Sequence, residues 1–175
     1  MGCAMYSEIR GDLWEYAIQN WICITTNLGW NKAGEAVMGA GIAKQAADRY
    51  PELRSWYGAK NRWRDIGQEV TDLYHPKKLI MLPTKGINYA YPWLSWKTDS
   101  SLPLIEQSLM SMVRVTEAYG DPGIDSVYLP PPGCGNGGLR IEQVAQMRIH
   151  QSKLRAARTA EERRLIRQQA MEALK

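Results

Sequence analysis

At 175 residues the chain is long enough for one domain with its own core and short for two. Hydrophobic residues make up 45% and charged residues 23%, the balance of a soluble globular protein, and no run of about 18 apolar residues that could span a membrane occurs. The net charge of +4 sits at one end: residues 151–175 carry seven Lys/Arg against three Glu, so residues 1–150 are neutral overall, which argues against broad nucleic-acid binding through phosphates.

In chain order, Met1 to Arg10 lacks the charged-then-apolar order of a signal peptide. Trp21 to Thr26 (WICITT) is a short β-rich run and predicts a buried strand. A polar, glycine-bearing loop follows from Asn27 to Glu35. Gly39, Ile42, Ala43, Ala46, Ala47 and Tyr50 then recur at helical spacing until Pro51 stops the pattern. Glu69 to Tyr74 and Leu79 to Leu82 predict two strands joined by a turn at Pro76-Lys77-Lys78. Ser100-Ser101 before Pro103 signals a helix start. Leu104, Ile105, Leu109, Met112, Val113 and Thr116 form one face of that helix, and Gly120 is its expected C-cap. Ser126 to Leu129 predicts a further strand that runs into Pro130-Pro131-Pro132, and residues 139–175 favour helix almost throughout. The alternation of strands and helices implies an α/β sheet with helices on its faces.

Two glycine-rich segments carry the chemistry. Val37 to Ala43 opens a helix and Gly133 to Gly138 follows a strand, both at carboxyl ends of strands, where open α/β sheets bind ligands. Glycine admits positive φ and close approach of a ligand to the main chain, and successive N–H groups beside a helix N-terminus attract anions. Tight turns without a ligand are the competing explanation for either loop alone. Gly133, Gly135 and Gly138 formally satisfy G-x-G-x-x-G. A dinucleotide fingerprint also needs a second strand with an acidic residue about 20 positions on, where this chain has the basic, helical Arg155-Ala156-Ala157-Arg158. That option fails on context, and no G-x-x-x-x-G-K-[ST] phosphate loop is present.

Gly11-Asp12-Leu13, Thr25-Thr26-Asn27, Val37 to Ala43 and Pro132 to Leu139 stand in macrodomain order and spacing, and over roughly residues 6 to 147 the chain resembles that family. It looks most like the microbial branch that includes ADP-ribose-1″-phosphate-processing enzymes and antitoxin macrodomains that remove ADP-ribose from DNA. The resemblance implies a three-layer α/β/α fold with a mixed sheet over residues 1–150, followed by a basic C-terminal helical extension over residues 151–175. It also implies roles. Asp12, with Leu13 in the same motif, would accept a hydrogen bond from the adenine amino group; a helix N-cap is the competing role. Asn27 would sit beside the distal ribose, or simply form a turn. The backbones of Met38-Gly39-Ala40-Gly41-Ile42-Ala43 and Gly133-Cys134-Gly135-Asn136-Gly137-Gly138-Leu139 would wrap the diphosphate and distal ribose. In the DNA-directed branch a lysine in a similar Pro-Thr-Lys context is implicated in catalysis. That singles out Lys85, with Asn27 as the other catalytic candidate. A lysine there could stabilise developing negative charge or serve in proton transfer. Lys97, Asp99 and Ser100 read first as helix-start residues. Tyr89, Tyr91, Trp93 and Trp96 read as a loop covering core, with a stacking wall beside the pocket as the alternative.

The expected function is binding of ADP-ribose or a derivative and its hydrolysis, either from a DNA or protein that carries it or as removal of the 1″-phosphate. A non-catalytic reader or sequestering protein would use the same pocket. Cleavage at the anomeric carbon builds oxocarbenium character, which a positioned water and the α-phosphate can serve without a metal or histidine. No cofactor and no metal site are expected: His75 and His150 lie far apart, without partners at ligand spacing. Cys134 reads as a small residue tolerated in the loop rather than a nucleophile, since no histidine neighbours it. Cys3, Cys23 and Cys134 are too few and scattered for a disulfide framework, so a cytoplasmic setting is expected. The chain departs from its relatives after Gln143, where the further strand that commonly closes a macrodomain is not legible. Leu154, Leu165, Ile166, Ala170, Met171 and Leu174 instead form a weak stripe through which the tail could join another copy.

Overall fold

A computed structural model describes residues 9–65, 67–119 and 126–144. Four strands, β1 (Trp21–Asn27), β2 (Asp72–Tyr74), β3 (Leu79–Lys85) and β4 (Val127–Tyr128), form a mixed sheet in the order β2-β3-β1-β4. Strand β1 pairs in parallel with both β3 and β4, and β2 pairs antiparallel with β3. Central strands are covered on both faces, which is why WICITT and LIML read as continuous apolar runs.

Alternation along the strands builds two cores. Ile22, Ile24, Leu79 and Met81 pack on one face against helices α2 (Gly41–Arg49) and α3 (Leu53–Arg62), with the one-turn helix α1 (Leu13–Tyr16) at their margin. Trp21, Cys23, Ile80 and Leu82 pack on the other face against Ile105 and Leu109 of α4 (Leu102–Tyr119). The outcome is the three-layer arrangement implied by the sequence. Each fully buried aliphatic side chain in these cores contributes roughly 1.5–3 kcal/mol.

Several boundaries moved. Helix α2 starts at Gly41 rather than Gly39, and its buried Ala43, Ala46 and Ala47 let it lie close to the sheet. Helix α3 was not expected at all. Its buried set is Leu53, Tyr57, Gly58 and Asn61, and two of those four are too polar or too small to register as an apolar stripe. A side chain on Gly58 would overlap the backbone around Gly34 and Ala36, so this glycine lets α3 press against that loop. Helix α1 is capped by Asp12, the competing role that the sequence left open for that residue. Strand β2 omits Glu69 to Thr71 because Thr71 is bonded to α4 instead: its N–H donates to Ser111 Oγ (3.1 Å) and its hydroxyl to Ser108 O (2.8 Å). Strand β3 runs on through Pro83-Thr84-Lys85. Helix α4 begins as expected, with Ser101 Oγ accepting from the Leu104 N–H (3.4 Å), but it buries Ser108 and Ser111 along with Ile105 and Leu109. No helix among the described residues is long and apolar enough to cross a membrane. Gly120, His150 and the expected tail lie outside the described residues.

Candidate functional site

The carboxyl ends of β1 and β3 meet at an irregularity in the ladder. Thr26 pairs with Pro83, but Asn27 pairs with Lys85, so Thr84 is an extra residue in β3. Proline has no N–H to give a ladder, and β2 pairs with β3 only as far as Met81, so Pro83 lies where the antiparallel pairing has ended. Local bonds replace the regular ladder: the Thr84 hydroxyl donates to Thr26 O (3.3 Å) and the Ser108 hydroxyl to Pro83 O (2.7 Å). Bulges of this kind re-aim side chains beside functional sites. Here the extra residue sets Lys85 opposite Asn27.

Asn27 is only 8% exposed. Its Oδ1 accepts from the Gly29 N–H (2.9 Å), and its Nδ2 donates to Val37 O (2.8 Å). The side chain therefore ties the end of β1 to the start of the first glycine loop. Asn61 braces the same turn from α3, donating to Asn27 O (3.4 Å). Beneath it the Thr26 hydroxyl and the Tyr57 phenol share a buried hydrogen bond of 2.9 Å. Burial, reinforced by the Asp72 charge, pushes the Tyr57 phenol well above its ordinary range and keeps it neutral.

The two glycine loops converge. No side chain caps the start of α2, so its first-turn N–H groups are available to an anion. A Cβ on Gly41 would lie 3.7 Å from Asn136 Nδ2, which places the second loop beside that helix start. The second loop closes on itself through Leu139 N–H to Gly133 O and Gly138 N–H to Gly135 O, both 3.0 Å. Its glycines divide by what surrounds them. A side chain on Gly133 would press on Ile105 and Leu139, and one on Gly137 would overlap the Ser100 hydroxyl; both face inward. Gly39, Gly135 and Gly138 meet nothing within 4 Å, so their missing side chains leave open space. Met38 and Ala43 bury their side chains in the core, Ile42 and Leu139 pack against the cores in part, and Ala40 is exposed. Cys134 is half-buried, with its Sγ 4.0 Å from Pro132 O.

Lys85 stands at this junction. Its Nζ donates to Asn136 O and to Trp96 O, each at 2.9 Å, and so joins the second glycine loop to the 3-10 segment Pro92–Lys97. Ser100, expected to start a helix, instead forms the floor of the loop: its N–H donates to Gly137 O (3.2 Å) and its hydroxyl to Thr84 Oγ1 (3.5 Å). The capping task falls to Ser101, and the two adjacent serines carry no sequence mark that separates these roles.

Asp12 and Leu13 stand apart from this junction. Asp12 Oδ1 caps α1 by accepting from the Trp14 N–H (3.0 Å). Trp14 Nε1 donates to Gln45 Oε1 (2.6 Å), and the Arg49 guanidinium lies 4.2 Å from the Trp14 ring, which fixes the segment to the flank of α2. A cleft of about 560 Å³ at the far edge of the sheet is lined by Arg64, Glu69, Asp72, His75 and Tyr119 among others, and by none of the expected site residues. Arg64 there pairs with Asp72, Glu69 pairs with Arg114, and the Lys60 ammonium lies 5.8 Å from the Trp56 ring centre. Among the described residues no group of three His, Cys, Asp or Glu side chains could hold a metal ion.

No family model matches the chain. Over 116 residues, 63% of this chain, it is 37% identical to the DNA ADP-ribosyl glycohydrolase of Mycobacterium tuberculosis, and it spans 30% of that relative's length. Among solved structures, the macrodomain of Mycobacterium tuberculosis DarG matches with a TM-score of 0.64 and 30% identity, covering 87% of this chain and 91% of that one. The macrodomain of Thermus aquaticus DarG matches with a TM-score of 0.61 and 27% identity, covering 86% and 90%.

Proposed function

The chain belongs to the macrodomain family, in its DarG-like branch, and on that premise we propose that it binds ADP-ribose and hydrolyses the bond joining ADP-ribose to DNA. The supporting observation is the convergence of the uncapped α2 N-terminus with the Gly135–Gly138 backbone, at the point where Lys85 is held. The diphosphate is assigned to those amides, on the open side of Gly39, Gly135 and Gly138. The distal ribose is assigned to the Asn27 and Lys85 end, and the adenine to Asp12 and Leu13. In the reaction the bond between the anomeric carbon and the acceptor atom breaks, the oxygen of a water bonds to that carbon, and the acceptor takes up a proton. The Lys85 cation stabilises the negative charge that gathers on the departing group.

Calorimetry with ADP-ribose comes first, followed by release of ADP-ribose from a modified oligonucleotide measured by chromatography. We expect saturable binding and turnover, with Lys85→Ala slowing turnover about a hundredfold or more while ADP-ribose still binds. Binding with no turnover by the unaltered chain would make it a reader or sequestering protein. Absence of binding would sink both.

Residues 1–150 are assigned to the macrodomain and residues 151–175 to a basic helical tail that joins copies of the chain. Leu165→Glu with Ile166→Glu should then remove any concentration-dependent increase in sedimentation coefficient. The cytoplasm is the setting we assign from the scarcity of cysteine.

A further inference from the structure

Ten large hydrophobic side chains are exposed among the described residues, and four of them, Tyr89, Tyr91, Trp93 and Trp96, fall within one eight-residue stretch. Scattered exposed apolar residues need no explanation, whereas a cluster does. The backbone beneath this cluster is held in place. Ser95 is fully buried, accepting from the Asn88 N–H (2.9 Å) and donating to Pro92 O (2.7 Å). The Tyr91 N–H donates to Asn88 Oδ1 (3.0 Å), and the Thr98 hydroxyl donates to Ser95 O (2.7 Å). A side chain on Gly29 would overlap Pro92 O and Ser95, so the stretch is pressed against the turn after β1. Had these rings served to cover core, they would be buried; Tyr89 is 88% exposed, and Trp96 51%.

Along the surrounding stretch of chain the charge has one sign. No acidic residue occurs between Asp72 and Asp99. The Lys32 ammonium lies 5.7 Å from the Trp93 ring centre, and the Lys97 ammonium 5.3 Å from that of Trp96. Both lysines are exposed. Tyr91 meets Trp93 edge to face at 5.6 Å. The backbone that carries the rings borders the second glycine loop, because Trp96 O and Asn136 O are each 2.9 Å from the same Lys85 nitrogen.

We propose that the Tyr89–Trp96 stretch is a stacking platform for single-stranded DNA, holding the bases that flank the ADP-ribosylated nucleotide while Lys32 and Lys97 meet the adjoining phosphates. The proposal rests on the reading of the glycine-loop pocket as an ADP-ribose site on DNA. Exposed aromatic rings take up unpaired bases because every base has a π face, whereas a duplex has its bases already stacked on one another. A neutral body with two cations at the platform suits a strand held chiefly by stacking. Held by a preorganised backbone, the platform loses little conformational freedom when a strand arrives.

The test is fluorescence anisotropy of a labelled, unmodified single-stranded DNA oligonucleotide of mixed sequence against the full chain, with the duplex and an RNA of the same sequence as competitors. We expect the single strand to bind and the duplex to compete poorly. Tyr91→Ala with Trp93→Ala should weaken strand binding at least tenfold and leave ADP-ribose calorimetry unchanged. Two phosphate contacts give log Kd against log salt a shallow slope of about 1.4. No strand binding, equal competition by the duplex, or an unaltered double variant overturns the platform while the ADP-ribose reading stands. RNA competing better than DNA also overturns it. Failure of the unaltered chain to bind ADP-ribose instead removes the premise.

Discussion

Gly39 and Gly137 lie in the two glycine loops, yet the structure gives them opposite meanings. Gly39 has no positive φ and nothing within 4 Å of where a Cβ would stand. Among the described residues neither strain nor packing requires glycine there, as expected if a ligand approaches that backbone. Gly39→Ala should leave the urea midpoint unchanged or raise stability by about 0.4–1 kcal/mol, while ADP-ribose affinity in calorimetry falls about tenfold. Gly137 faces the buried Ser100 hydroxyl. Gly137→Ala should therefore lower folding stability by about 1–3 kcal/mol through overpacking, and any loss of binding should track that loss of stability. If instead Gly39→Ala unfolds the protein and Gly137→Ala is neutral, this division of the loops is wrong.

At the scale of elements, α4 is tied to the sheet through hydroxyls as well as hydrocarbon. Ser111→Ala would strand the buried Thr71 N–H, and we expect a loss of about 1–3 kcal/mol in urea denaturation. Those serines also mark what the sequence could and could not disclose. The central strands, α2 and α4 were legible because alternation or 3.6-residue spacing of apolar side chains reports burial directly. Ser108, Ser111, Asn61 and Gly58 are buried for hydrogen bonding or close approach, which hydropathy does not record, so α3 and the true inner face of α4 were missed. The glycine loops stood out in the sequence because glycine clusters announce themselves. The role of Ser100 did not, since it depends on a loop more than thirty residues away. Lys85 was singled out by resemblance alone; the register that sets it opposite Asn27 is a property of the paired strands and cannot be read from either one.

For the molecule as a whole, the far edge of the sheet carries an acid-sensitive clasp. The Arg114 guanidinium, assisted by the Ser111 hydroxyl, holds the Glu69 carboxyl below the ordinary glutamate value of 4.5. The folded chain thus binds that proton less readily than the unfolded chain. The pair's contribution is complete above the ordinary value and is lost as pH falls through the lowered folded one. Both side chains are substantially exposed, 51% for Arg114 and 36% for Glu69, so the effect is small and screened by salt. The difference in urea midpoint between the unaltered chain and Arg114→Ala should be modest at pH 6 and shrink steadily as pH falls below the ordinary glutamate value. A difference that persists at low pH would assign the effect to packing of the arginine stem. The glycine loops and platform are on other elements, so ADP-ribose affinity should not follow this transition.

The extra residue in β3 makes the position of Lys85 a matter of counting. Deleting Thr84 would restore a regular register with β1 and leave Leu79 to Leu82 where they are, yet it would carry the ammonium into the place of the Thr84 hydroxyl, which is 5% exposed. No single substitution makes that change. Chain length at one point of one strand therefore decides whether Lys85 reaches the second glycine loop or takes the buried place of Thr84.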